Sequence, residues 1–303
     1  MFVACCVRPL SDELGAVVPQ LVETQRHCFH PTTLSPEARD SEGACQTRRM
    51  TYETPPNSPA VFQRRLDALQ RACRDTEGVS SLVVFGSSTR RGAARRDEWS
   101  DIDFNLFVTD DERGRDVRRS WDFLPDRDEV VLAAREGENG GVALYRDGLV
   151  CEFGVGSPWE IRDPDREVLL DGGDLRFSEP PELAGALDQL GLFVVKLLIG
   201  YGRVCRGEVL AGNASLRCGA VLCLAEALRQ RLVPETTRSP FDPLRRLERT
   251  LPDIAAEIAG LQLAPARECA EGLLDLAERE LAPGWQEFPR EAFEVARAVI
   301  GRA

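Results

Sequence analysis

Two carboxylates, Asp101 and Asp103, stand just beyond a glycine-serine turn, Gly86-Ser87-Ser88. Residues alternate faces along a strand. In Asp101-Ile-Asp-Phe-Asn-Leu-Phe-Val108 the aspartates therefore share one face, while Ile102, Phe104 and Leu106 share the other, which is apolar. Like charges on neighbouring same-face positions repel, and a strand with a purely structural role gains nothing from them. A divalent cation removes that objection. Mg²⁺ takes carboxylate oxygens together with substrate phosphates and keeps several waters, which suits a two-aspartate platform better than a closed protein cage.

The turn supplies the complementary half of such chemistry. Residues 82–85 read as a short buried strand, and Gly86 lets the chain turn sharply with its amides exposed, where a larger side chain would obstruct a phosphate. Ser87 and Ser88 add hydroxyl donors, and backbone amides gathered at a bend form an anion site. Gly86, Ser87 and Ser88 are the candidate nucleotide-binding residues, and Asp101 and Asp103 the candidate metal ligands. Either piece alone reads as an ordinary turn or strand edge. Their order, with apolar runs flanking both, favours the functional reading.

The pattern hydrophobic-Gly-Ser, spacer, Asp-hydrophobic-Asp resembles the nucleotidyltransferase superfamily of DNA polymerase beta, and more narrowly its antibiotic-modifying branch. The resemblance implies a third carboxylate on a later strand, for which Glu152 in Gly148-Leu-Val-Cys-Glu-Phe-Gly-Val155 is the candidate. The run from Gly140 to Phe153 is similar to the corresponding hairpin of lincosamide and aminoglycoside nucleotidyltransferases. Arg146-Asp147-Gly148 is a hairpin turn in its own right, since Asp-Gly between apolar runs favours reversal with positive φ. On the second strand Val150, Glu152 and Gly154 share a face. A glutamate among apolar neighbours is expensive unless partnered; an edge-strand Glu facing water is the alternative. The spacer, thirteen residues from Ser88 to Ser100, is longer than in compact members of the family. Its Arg90, Arg91, Arg95 and Arg96 read as a solvated charge cluster, with contact to nucleotide phosphates as the other option.

What the resemblance implies is metal-assisted nucleotidyl transfer. Asp101, Asp103 and Glu152 are then the catalytic and metal-binding residues, with two Mg²⁺ ions as cofactors and ATP or another NTP as donor. An acceptor hydroxyl attacks the α-phosphorus and expels pyrophosphate, with Glu152 as general base. The implied acceptor is a small molecule, an aminoglycoside or lincosamide antibiotic, with Asp122, Asp126, Asp128 and Glu129 near the cleft rim for a cationic one. An antitoxin-like or protein-modifying nucleotidyltransferase acting through a protein partner is the competing reading, and a non-catalytic sensor keeping the fold is a third.

Composition sets bounds on partners. A net charge of −12 repels a polyanion, and no basic stripe with interleaved aromatics occurs, so nucleic acid is not expected as substrate. An acidic surface attracts a cationic small molecule. Uninterrupted apolar runs fall short of the roughly 18 to 20 residues that span a bilayer, being broken by Lys196, Arg203 or Arg217, so no membrane association is expected. The first residues lack a basic segment followed by a long apolar one. The ten cysteines are scattered without zinc spacing and read as reduced thiols, which places the chain in the cytoplasm.

The elements that must position these groups form an α+β architecture: an N-terminal mixed-sheet nucleotidyltransferase domain over 50–180 and a C-terminal helical bundle over 181–303. Residues 1–49, with both histidines and no sustained apolar period, read as an irregular or disordered extension, with Met50 as the natural start. Val61, Leu66, Leu69, Ala72 and Cys73 mark a helix leading into the first strand. Strands are expected over 101–108, 130–134, 142–145 and 149–155, and a helix over 116–123. Prolines and glycines between 158 and 181 read as a linker. Beyond it, Leu187, Leu190, Val194, Leu197, Leu198 and Tyr201 make one helical stripe, and Leu216, Ala220, Cys223, Leu224 and Ala227 another. Asp242-Pro243 reads as a helix start, Pro252 as a break, and 266–281 and 290–301 as further helices. The run Tyr201-Gly-Arg-Val-Cys-Arg-Gly-Glu-Val-Leu-Ala211 resembles the C-terminal domain of the same enzymes. Lys196, the single lysine of the chain, is the bundle residue the resemblance assigns to a nucleotide phosphate, with snorkelling to solvent as the alternative.

Overall fold

A computed structural model describes residues 58–302, except 110, 181, 183 and 235–240. The extension expected at 1–49 lies outside the described residues. Helix α1 (Pro59–Asp75) starts where Ser58 Oγ accepts from the Val61 amide at 3.3 Å and Pro59 takes the first helical position. It buries Phe62, Leu66, Leu69 and Cys73 on one stripe. Strands β1 (Val79–Phe85) and β2 (Ile102–Val108), helix α2 (Glu112–Ser120), and strands β3 (Val130–Glu136), β4 (Gly140–Tyr145) and β5 (Val150–Gly156) follow. Short β6 (Glu160–Ile161) and β8 (Arg176–Phe177) pair with each other, on either side of β7 (Arg166–Leu170).

The six-stranded sheet runs β3-β4-β5-β2-β1-β7. Strands β2 and β5 run parallel and the other neighbours antiparallel, so the sheet is mixed, as the sequence implied. The hairpin turn before β5 forms as expected, with Gly148 at φ +86° and its amide on Tyr145 O at 2.9 Å. The stretch read as a linker contributes β7 to the sheet. That strand escapes periodicity because it is an edge: an edge strand tolerates charge, and Arg166 and Glu167 interrupt its apolar run.

One sheet face is apolar and covered. Ile102, Phe104 and Leu106 meet Cys151, Phe153 and Val155 from β5, under Phe62, Leu66 and Leu69 of α1 and Val117 of α2. Phe104 and Phe153 stack at 5.3 Å between centroids. The side chains at 101, 103 and 152 therefore emerge on the other face.

From residue 186 onward the described chain is helical and packs on its own hydrophobic cluster, built from residues between Leu190 and Ile300. Helix α3 (Ala186–Cys205) is central, against α4 (Val209–Asn213), a π-helical stretch (Ala214–Ala220) and α5 (Val221–Leu232). The run Val209–Leu232 is long and apolar enough to cross a membrane by length and composition, but its Leu216, Ala220, Val221, Leu224 and Leu228 are core of this cluster. Asp242-Pro243 opens a turn rather than a helix: Arg246 adopts φ +63° before the short α6 (Leu247–Thr250). Pro252 ends α6 and begins α7 (Pro252–Leu263), followed by α8 (Ala266–Leu281) and α9 (Arg290–Arg302).

Candidate carboxylate and phosphate site

The site begins with register. Parallel β2 and β5 pair Asp103 with Glu152, and directly paired residues on adjacent strands present their side chains to the same face. Asp101, at the mouth of β2, joins them. One ligand oxygen from each of Asp101, Asp103 and Glu152 lies within 4.8 Å of the others, and all three residues are half-buried. Burial first, and then the negative charges of Asp101 and Glu152, together raise the Asp103 carboxyl from 3.8 to about 7, against an opposing effect from Arg245. Three carboxylates pressed together without compensation are unfavourable as they stand. Their donor set is all oxygen, with no histidine or thiol, which fits a hard cation such as Mg²⁺ rather than Zn²⁺.

The glycine-serine turn is built against this cluster. Gly86 sits at φ +55°, a conformation that strains any residue with a Cβ, and its amide donates to Asp165 O at 2.9 Å. That amide is consequently committed, and the Ser88 amide is used within the 3₁₀ helix of residues 86–88, so the Ser87 N–H is the one the turn offers to an anion. Ser87 Oγ donates to Asp101 O at 3.2 Å, which ties the turn to the aspartates. Ser88 is 2% exposed, and its Oγ has no hydrogen-bond partner among the described residues. The turn packs back on Gly92, where a Cβ would fall 1.8 Å from Gly86 O, and Thr89 Oγ1 donates to that same carbonyl at 2.9 Å.

The arginines of the spacer divide. Arg96 Nε donates to Ser87 O at 2.7 Å and its Nη2 to Ser88 O at 3.3 Å, with the guanidinium over the Phe62 ring at 4.7 Å. It holds the carbonyl side of the turn. Arg90 and Arg95 pair with Glu167 and Asp165, and Arg91 is exposed. Reading all four as a solvated cluster missed Arg96, whose partners are carbonyls and leave no mark in sequence.

No protein-family model matches the sequence, and no curated protein matches it. Among solved structures, an aminoglycoside 6-adenyltransferase from Bacillus subtilis superposes on 78% of this chain and 98% of its own, at 11% identity and a TM-score of 0.29. At that level of superposition the likeness carries no argument for fold or activity, and the site stands on its own geometry.

Cations reach the carboxylates from the helical half. The Nη2 of Arg245 lies 3.8 Å from where a Cβ on Gly86 would stand, and its charge acts on both Asp103 and Asp163. Lys196 lies on α3, with its Nζ 3.9 Å from a Cβ position on Gly219 and its charge felt by Cys223. The turn is thus faced by Arg245, which sequence reasoning did not single out. Of the four acids expected at the acceptor rim, Asp122, Asp126, Asp128 and Glu129, three stand in ion pairs, Asp122, Asp126 and Glu129. Asp126 and Asp147 pair with Arg65 of α1, which also covers the Tyr145 ring at 4.1 Å. Asp122 pairs with Arg127 and Glu129 with Arg146.

Proposed function

We propose that this protein is a divalent-cation-dependent nucleotidyltransferase that moves a nucleoside monophosphate, with ATP or another NTP as donor, to a hydroxyl of a small molecule. The observation that carries the reading is the register pairing of Asp103 with Glu152, which sets three carboxylates within 4.8 Å beside a turn bonded to Asp101. Asp101, Asp103 and Glu152 would hold Mg²⁺, two ions in the fullest form of the reading. A cation bound there neutralises the triphosphate and the departing pyrophosphate.

The protein's own groups do the rest. The Ser87 amide at the Gly86-Ser87-Ser88 turn binds the phosphate tail, and the Arg245 guanidinium meets it from the helical side. The Glu152 carboxylate accepts the proton of the acceptor hydroxyl as its oxygen attacks the α-phosphorus; the bond to pyrophosphate breaks as the new ester forms. Positioning and charge neutralisation supply the acceleration, since no covalent protein intermediate is formed. Residues 50–180 act as the catalytic domain and 181–303 as the helical domain, in the cytoplasm, where NTP and Mg²⁺ are at hand. The acceptor class is an aminoglycoside or lincosamide.

The experiment mixes the protein with Mg²⁺, each NTP and a panel of aminoglycosides and lincosamides, and reads acceptor mass and pyrophosphate. A gain of one nucleotide, abolished in Asp103→Ala, is expected. Activity that survives Asp103→Ala, or the absence of transfer to every acceptor, overturns the reading.

A further inference from the structure

We propose that Arg229, buried in the helical core, is a positioning residue that holds the Arg245 segment over the Gly86 turn, and so sets the affinity for a triphosphate. The inference rests on the function proposed above and adds to it how the phosphate-binding cation is held in place.

Arg229 lies on α5 and is 2% exposed. Its Nη1 donates to three carbonyls of the following segment: Asp242 O at 3.4 Å, Pro243 O at 2.9 Å and Arg245 O at 3.3 Å. A buried guanidinium with several donors in a fixed fork can hold a run of backbone carbonyls in one arrangement. The same segment is fixed from inside by Asp242, whose Oδ1 accepts from the amides of Leu244 at 2.9 Å and Arg245 at 3.2 Å. Two independent sets of bonds therefore determine where residue 245 stands, and Arg246 is held at φ +63°, a conformation a non-glycine residue keeps only when its surroundings impose it.

What the segment presents is positive charge. The charges of Arg245, Arg249 and Arg95 of the spacer all act on Arg246, with Asp165 acting against them. Like charges gathered near Arg246 repel, and a polyanion relieves that repulsion. With Arg245 Nη2 already at the glycine turn, the anion that fits both the turn and the arginines is the terminal part of a triphosphate rather than a single phosphate.

The test measures binding without turnover. Calorimetry of the full chain with Mg²⁺ compares a non-hydrolysable α,β-methylene triphosphate with the matching monophosphate. Arg245→Ala is expected to weaken the triphosphate about 10- to 100-fold while leaving the monophosphate within about twofold. Arg229→Met is expected to do the same, and the double variant to be no weaker than the weaker single one, because both changes remove one interaction. Equal weakening of mono- and triphosphate by Arg229→Met, or effects that add to those of Arg245→Ala, overturns the positioning role. Should Arg229→Met fail to fold, Asp242→Ala loosens the same segment with the same expectation. Amide exchange over 242–247 in the unaltered protein must slow when triphosphate binds; unchanged exchange rejects the inference. If the unaltered protein binds no triphosphate, the proposed function itself fails, and the two failures are thereby told apart.

Discussion

Replacing Asp103 by Asn should stabilise the metal-free protein, and the gain should depend on pH. The native carboxyl is raised from 3.8 to about 7, so between those values the folded state holds a proton that the unfolded state has lost. Stability is therefore complete below about pH 4 and declines as pH rises toward 7. A displacement of about three pH units at 1.36 kcal/mol each makes the penalty about 4 kcal/mol at pH 8 and about 1 kcal/mol at pH 4.5. Asn removes the charge at nearly constant volume, so the variant should lie about 4 kcal/mol above the parent at pH 8 and close to it at pH 4.5. At roughly 2 to 4 °C per kcal/mol, the difference at pH 8 is on the order of 10 °C in Tm. Melting curves in a chelator across this range measure it. Millimolar Mg²⁺ at pH 8 should then reverse the order: the parent gains about 2.7 kcal/mol at a hundred times its Kd, and the variant gains little. Parallel pH slopes for the two proteins, or equal stabilisation of both by Mg²⁺, would show that Asp103 is not the strained member of a cation site.

Three further outcomes follow from the same geometry. Glu152→Gln keeps a side chain of the same shape but cannot accept a proton; kcat should fall about 10²- to 10⁴-fold in the transfer assay, while triphosphate affinity changes far less. Lys196→Met should leave the KM for NTP within about twofold, because its ammonium lies beside Gly219 and Cys223; a larger rise would return Lys196 to the phosphate site. Burial pushes the thiols of Cys73 and Cys151 up to about 12, whereas Cys205 and Cys218 are exposed. Short alkylation of the native protein at pH 8 should mark the second pair and spare the first in peptide mass spectra.

Much of the arrangement was legible because it is local. The alternation in residues 101–108 and 149–155 assigned each side chain to a face, and parallel pairing of β2 with β5 then brought Asp103 opposite Glu152. Sequence could not show that pairing itself, since register between distant strands depends on which apolar faces meet. Strand β7 was hidden for the converse reason: an edge strand has one neighbour and keeps charges such as Glu167, so it lacks the uniform apolar signature of β1. Helical stripes located α3, α8 and α9 well, but the turn after Asp242 was misread as a helix. The reason is tertiary: the Arg229 guanidinium takes the carbonyls of Asp242, Pro243 and Arg245 that a helix there would have used along its own axis.

Charge was the least legible property, and its layout says most about how the site works. A net charge of −12 suggested acids at the rim waiting for a cationic acceptor. In the fold, Asp122, Asp126 and Glu129 are each paired with an arginine, and Asp165 and Glu167 hold Arg95 and Arg90. Exposed pairs of this kind add little stability, but they do cancel the local field that an acidic composition implies. Two groups of like charge stand out, the carboxylates of Asp101, Asp103 and Glu152 and the arginines around Arg246. The first is mounted on the sheet and the second on the helical half, with the Gly86 turn between them. A ligand that satisfies both is an anion carrying a hard cation.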